Sequence, residues 1–424
     1  HAHIALWCGN NENEQIFKSA ITAKRNLLRD YERVFLDSIP NTLERLCPGA
    51  RYISSSEHNP HDRFGDTGNP DSGDAHFWGV WHQRQPIAAY ERQFHRFFSE
   101  FGMQAYPHIE TARTFTESTN LFAPEMDNHQ KNGGGNQIIL HYISELYRFP
   151  KDYESTVYLS QIMQAFCLRF GIEHMRRNVP RTMGALYWQL NDCWPTASWS
   201  SIDFGGRWKA LHHAARRFFA PTLVSVKWIG EEVMHTSTNT VLSTVDGLEI
   251  HTVYDGVGNV DGELEWKLWA LSRNEVVDEG SMPVKLKPGQ AAVRRRLKLE
   301  KHVAGYGRTD LVLRSRLSAD GYEDSVNTTF MTSPRNVDFP TSTIRSEVRK
   351  TSNRTFDLTL TTDALAYQIY VNLGDALAHK ISDNFFDVFP GEEKCVTLEV
   401  SEPRIVGEIR KLLKVISYRD SYDD

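Results

Sequence analysis

The chain has 424 residues, 40% hydrophobic and 24% charged, with a formal net charge of −6. It is long enough for two or three domains with cores of their own, in an ordinary globular composition. The charge gives no electrostatic case for nucleic acid, five scattered cysteines make neither a zinc ribbon nor a dense disulfide scaffold, and no apolar run is long enough to span a membrane.

Residues 1 to about 219 alternate strand-like and helix-like stretches, the pattern of an α/β fold with parallel strands. Ile4–Cys8 reads as a short buried strand that runs into Gly9, two asparagines and the carboxylates Glu12 and Glu14. An amphipathic helical stretch follows from about Glu14 to Leu46, interrupted near Pro40. Ala50–Ser55 and His76–Trp81 are the next strands, with a polar loop from Asn59 to Asp74 between them. Phe97–Met103 carries Glu100. A long irregular stretch including Asn132-Gly-Gly-Gly-Asn136 comes next, then a helix from about Thr156 to Met175, a last strand Met183–Leu190 and a closing helix Lys209–Phe219.

The texture changes at Pro221. Short strands recur at Glu249–Tyr254, Glu263–Ala270, Ala292–Leu299 and Asp310–Arg316, with Asp-Gly turns between, as in an antiparallel sandwich. Ser333–Asn336 reads as a linker to a second strand-rich block with Thr355–Thr361, Tyr367–Asn372 and Cys395–Val400. The expected division is therefore 1–219, 220–336 and 337–424.

Glu12 and Glu100 are 88 residues apart, and a βα unit takes roughly 30 residues. That spacing puts them on strands three apart around a parallel barrel, facing each other across its C-terminal mouth. A lone strand-end glutamate is more often a solvated rim residue, but two facing carboxylates are the equipment of a glycosidase. One attacks the anomeric carbon while the other, protonated, helps the leaving oxygen depart.

Gly9-Asn-Asn-Glu12, Ser99-Glu-Phe-Gly-Met-Gln104 and Tyr187-Trp-Gln-Leu-Asn-Asp-Cys-Trp-Pro195 resemble the β-mannosidases of glycoside hydrolase family 2. So do His76-Phe-Trp-Gly-Val-Trp-His82 and Ser382-Asp-Asn-Phe-Phe-Asp-Val-Phe-Pro-Gly391. The resemblance implies the C-terminal part of a (β/α)8 TIM barrel, strands four to eight, followed by two immunoglobulin-like β-sandwich domains. It implies an exo-acting, retaining hydrolase that releases terminal β-D-mannose, with Glu12 as acid/base and Glu100 as nucleophile. Asn11 would hydrogen-bond the sugar 2-hydroxyl (a helix N-cap is its other reading), and Trp188 would floor the sugar site. Trp78 or Trp81 would border the pocket or pack in the core, and Asn191 and Asp192 would brace the rim or bind hydroxyls. The chemistry requires no metal or organic cofactor, and the expected partner is an oligosaccharide ending in β-mannose, with no nucleic acid and no membrane. An N-terminal partner segment would complete the barrel. The chain is expected to be soluble, without a targeting region of its own.

Two competing readings remain at this point: another family 2 specificity, such as β-galactosidase or β-glucuronidase, and a truncated carbohydrate-binding or scaffolding fragment without catalysis. Glu14 reads as a first-turn carboxylate complementing a helix dipole. His58-Asn-Pro-His61-Asp62 reads as a solvated loop, Gly133–Gly135 as a flexible connection, Arg294–Arg296 as a solvated strand face, and His212-His213 as lacking metalloprotease spacing.

Overall fold

The computed structural model describes residues 3–235 and 240–423, and they form two compact units. The first takes in the chain up to Gly102 together with Phe170–Trp188; the second is Met103–Arg169 with Gln189 onward.

In the first unit β1 (Trp7–Cys8) lies parallel to β2 (Tyr52–Ile53), and the pairing resumes at a bridge between Asn11 and Ser56. β3 (Ala75–His76) lies parallel to β4 (Phe98–Glu100). On β4's other side the chain from Met183 to Trp188 runs parallel as well, with Phe98 N donating to Gly184 O at 3.0 Å and Trp188 N to Phe101 O at 2.7 Å. β1 with β2, β3 with β4, and β4 with Met183–Trp188 are thus parallel neighbours in chain order, as in βα repeats.

Each segment is shorter than the apolar run that announced it. β1 was expected to be buried from Ile4; instead Ile4, Leu6 and Trp7 are 40%, 49% and 40% exposed. Its cause is one-sided pairing: β1 has β2 on one side and no strand on the other among the described residues. The strand expected over His76–Trp81 ends at His76, and Gly79–Arg84 turn back.

The helical stretch after β1 starts at Lys18 rather than Glu14 and breaks at Lys24, whose backbone is extended. It does not break at Pro40. That proline sits in the first turn of Ile39–Leu46, just after a widened π-helical stretch, Glu32–Ser38. The wider turn leaves room for a ring that can neither donate to the preceding turn nor pack close beneath it.

In the second unit the Gly-rich stretch is no flexible connection. It opens the helix Gly135–Leu146, with Gly134 at φ +77, where a side chain would be strained. A Cβ on Gly135 would sit 2.6 Å from Gln104 Oε1 and would have to move the glutamine ends that pack there. The long helix Tyr153–Arg177 then crosses from this unit into the first along the sequence.

From Thr222 two antiparallel sheets face each other. One orders Glu275–Leu286, Val260–Ala270, Leu311–Ala319 and Ser325–Phe330; the other orders Gln290–Lys298, Gly247–Tyr254 and Thr222–Ile229. Leu248, Ile250, Leu264, Leu268, Leu313 and Leu317 fill the space between. A second pair of sheets spans Ile344–Lys350 to Lys414–Ile416 around Phe356, Leu358, Leu360, Ile369 and Val371. Among the strands that sequence patterning missed, which include Thr222–Ile229 and Ser325–Phe330, Glu275–Leu286 and Ile344–Lys350 are outermost in their sheets. There charged residues and Pro283 keep an unpaired edge from recruiting another chain.

Ser382–Gly391 joins the second sandwich to the helix Ala210–Phe218. Arg217 Nη1 donates to Asp383 at 2.7 Å, and its Nη2 to Phe385 O at 2.8 Å. Lys394 Nζ also reaches Asp383 at 2.7 Å. Burial alone would raise the Asp383 pKa, but Arg217 and Lys394 outweigh it and hold it below the ordinary value.

All five cysteines are free, and no helix of the described residues is long and apolar enough to cross a membrane. Leu268 lies at the centre of the first sandwich, on a strand paired on both sides, and is fully buried. Leu268→Ala is expected to cost about 2–5 kcal/mol, whereas Val257→Ala, on a 95% exposed side chain, leaves the urea midpoint unchanged.

Candidate active site

Three backbone contacts fix the turn after β1. Glu12 N donates to Ser56 O at 2.6 Å, Ser56 N donates to Asn10 O at 3.0 Å, and Gly9 N donates to Ile53 O at 2.9 Å. Asn10 adds its side chain, donating to Ser54 O at 2.6 Å and accepting from Ser55 Oγ at 2.8 Å. Held this way, Glu12 takes a left-handed backbone with φ +60, which a non-glycine residue adopts at a cost of order 1 kcal/mol or more. Asn11 is exposed and is not a helix cap, because the helix starts only at Lys18.

Glu100 arrives from β4, whose pairing sets His76 opposite it. His76 is the residue between the two carboxylates. Its Nδ1 is 2.8 Å from Glu12 Oε1 and 3.9 Å from Glu100 Oε2, and the three side chains are 1%, 16% and 13% exposed for His76, Glu12 and Glu100 respectively. The facing atoms of Glu12, His76 and Glu100 all lie within 4.8 Å of one another. Trp78 Nε1 donates to Glu100 Oε1 at 3.1 Å, so this tryptophan binds the carboxylate itself. Trp81, by contrast, is fully buried.

Behind His76 a polar wall completes the group. Ser56 Oγ is 2.9 Å from His76 Nε2 and 2.6 Å from Asp74 Oδ2, and Ser99 Oγ donates to the same Asp74 oxygen at 2.6 Å. The buried Glu57 accepts the His76 backbone N–H at 2.8 Å. Burial would lower the His76 pKa; its hydrogen bond to Glu12 and the charges of Glu100, Glu12 and Glu57 outweigh that and raise it. Burial raises Glu100 too, helped by Glu12 and Glu57 and opposed by His76 and Trp78.

Glu14 corrects its expectation outright. It belongs to no helix and is fully buried, accepting from Tyr31 Oη at 2.5 Å, Ser54 Oγ at 2.6 Å and His58 Nδ1 at 2.7 Å, with Arg63 Nε at 3.3 Å. The loop expected to be solvated therefore buries His58 and Asn59.

Trp188 ends its parallel segment and is 45% exposed. Asn191 lies in the second unit, exposed, bridged to Ile202, its backbone oxygen taking the Gln189 amide at 2.7 Å. In the same unit Asp192 is buried and accepts from Ser198 Oγ at 2.8 Å. His76, Asp74, Ser56 and Glu57 were missed from sequence. One signal was available: His76 and Trp78 are two apart on an extended stretch and so share a face, and both meet Glu100.

Over 252 residues, 54% of this chain, it is 34% identical to the β-mannosidase B of Aspergillus flavus; the figures for that of Aspergillus clavatus are 36% over 250 residues. The chain is thus similar to β-mannosidases over about half of its length. A solved β-D-mannosidase from Dictyoglomus thermophilum superposes on 98% of it with TM-score 0.83 and 25% identity. An exo-chitosanase from Amycolatopsis orientalis shares the fold, with TM-score 0.62 over 98% of the chain at 12% identity. The mannosidase Ig/CBM-like domain matches residues 246–342 of this chain, and the mannosidase Ig-fold domain matches 339–421. It spans only part of its relatives: 29% and 28% of the two Aspergillus proteins and 48% of the Dictyoglomus chain.

The Glu14 network makes a stability prediction. The folded pKa of Glu14 is below its unfolded value, because burial, which would raise it, is outweighed by the donors His58, Ser54 and Tyr31. Its contribution is therefore present above the unfolded carboxylate value and lost as pH falls through the folded one. Glu14→Gln is expected to cost about 2–3 kcal/mol near pH 7, and urea titrations of the two proteins should converge on acidification.

Proposed function

We propose that this chain carries the catalytic carboxylates of an exo-acting, retaining β-mannosidase. The observation that supports it best is the short separation of Glu12 and Glu100, whose facing oxygens lie within 4.8 Å. Retaining pairs sit about 5–5.5 Å apart and inverting pairs about 6.5–9.5 Å, the wider gap being needed for a water. In the proposed first step an oxygen of Glu100 attacks the anomeric carbon. The glycosidic bond breaks, and the carboxyl proton of Glu12 goes to the leaving oxygen. In the second, Glu12 takes a proton from water, the water oxygen bonds to the anomeric carbon, and Glu100 leaves.

Trp78 orients the nucleophile by occupying one of its oxygens, which leaves the other for attack. The exposed side chain of Asn11, next to the acid, suits the sugar 2-hydroxyl, and the exposed indole of Trp188 suits a sugar face. We read the parallel segments of the first unit as part of a (β/α)8 barrel, with domain boundaries at 1–219, 220–336 and 337–424. Similarity to β-mannosidases by both sequence and structure favours manno specificity over the galacto or glucurono alternatives.

The test is covalent trapping with a 2-fluoro-mannosyl donor, followed by peptide mass mapping. An adduct on Glu100 is expected, and an adduct elsewhere rejects the assignment. Labelling by a 2-fluoro-galactosyl donor alone rejects the mannosidase specificity. Glu12→Ala should slow turnover of a poor leaving group by about 10²–10⁴, while an activated aryl donor still forms the adduct and added azide restores its release.

A further inference from the structure

We propose that His76 is a positioning residue that acts through Glu12, holding the two carboxylates as one charge-balanced group and serving as the proton store of the acid/base. The inference rests on the glycosidase reading above and deepens it.

The geometry carries it. Nδ1 of His76 faces Glu12 at 2.8 Å and Glu100 at 3.9 Å, while Nε2 faces Ser56 Oγ at 2.9 Å. Ser56 in turn reaches Asp74, which also accepts from Ser99 and from His58 N at 2.7 Å. An imidazolium satisfies every member: Nδ1–H donates to Glu12, Nε2–H to Ser56, and the Ser56 hydroxyl to Asp74. The charged groups facing the ring are Glu12, Glu57, Asp74 and Glu100, all acidic. With its side chain 1% exposed, the ring has no solvent to exchange with directly.

The proton balance follows. As the glycosidic bond breaks, Glu12 delivers its carboxyl proton to the leaving oxygen, and the Nδ1–H proton is then shared with the carboxylate left behind. The pair has lost one proton and the sugar product has gained it. When that shared proton returns to Nδ1, Glu12 is a free carboxylate and takes a proton from the attacking water. Protonated Glu12 and the imidazolium are thereby restored.

The test is histidine NMR on the chain labelled at ¹³Cε1, with the His76 signal identified by its absence in His76→Asn, or in His76→Gln should the first variant not fold. We expect a midpoint above 6.5, the ordinary histidine value, that falls by about one pH unit in Glu12→Gln and also falls in Glu100→Gln. A midpoint at or below 6.5, or one that Glu12→Gln does not move, overturns the proposal. With an aryl β-mannoside, His76→Asn should lower kcat about tenfold or more at little cost in KM. The basic limb of its pH profile should also move to lower pH. A uniform loss with the limb unmoved would reduce His76 to packing. Coupled titration without an adduct on Glu100 from any glycosyl donor overturns the glycosidase reading; an adduct with uncoupled titration overturns only the role of His76.

Discussion

Two carboxylates whose oxygens lie within 4.8 Å have to be held there against their own repulsion. At an effective dielectric of about 20 that repulsion is on the order of 3 kcal/mol when both are charged, a sizeable share of a domain's net stability. The surroundings answer it in kind. His76 puts a ring nitrogen between the two, Trp78 donates to Glu100, and the backbone of Glu12 is tied to Ser56. Ser56 does this with its carbonyl while its hydroxyl reaches both His76 and Asp74. One small residue thereby couples the placement of the first carboxylate to the orientation of the ring that steadies both.

A second layer stands behind the first. Glu14 is two residues beyond Glu12, and its buried bonds to Tyr31, Ser54 and His58 tie the turn to the first helices and to the loop after β2. Within the second unit an anionic anchor of the same logic recurs at Asp383, gripped by Arg217 and Lys394. In both places a carboxylate taken out of water is matched by several donors, which is the condition under which burying it does not destabilise the fold.

Much of this was legible in the sequence, and the part that was not has a common cause. Glu12 and Glu100 stand out because each ends an apolar run inside a distinctive motif. The parallel order of the first unit and the strand spacing after Pro221 follow from local patterning. His76 and Glu14 escaped because their roles depend on partners 64 and 44 residues away, Glu12 and His58 respectively, and no local period encodes such pairings. Strand lengths were overread for a related reason. An apolar run records what is buried or once-covered along it, whereas a ladder lasts only while a neighbour keeps register, and at Ala75/His76 the register shifts. The helix at Gly135 was hidden by the glycines that open it, where Gly134 takes a left-handed backbone.

The left-handed backbone at Glu12 bears on how such a chain can change over evolutionary time. At φ +60 the fold itself would be served better by glycine, or by asparagine, than by glutamate. With Glu12 as the proposed acid/base, stability and chemistry pull this one position in opposite directions. Were selection for turnover relaxed, drift would be biased toward losing the glutamate early, since its replacement relieves strain instead of adding it. Under that role, a glutamate at this backbone geometry is kept by turnover and not by stability.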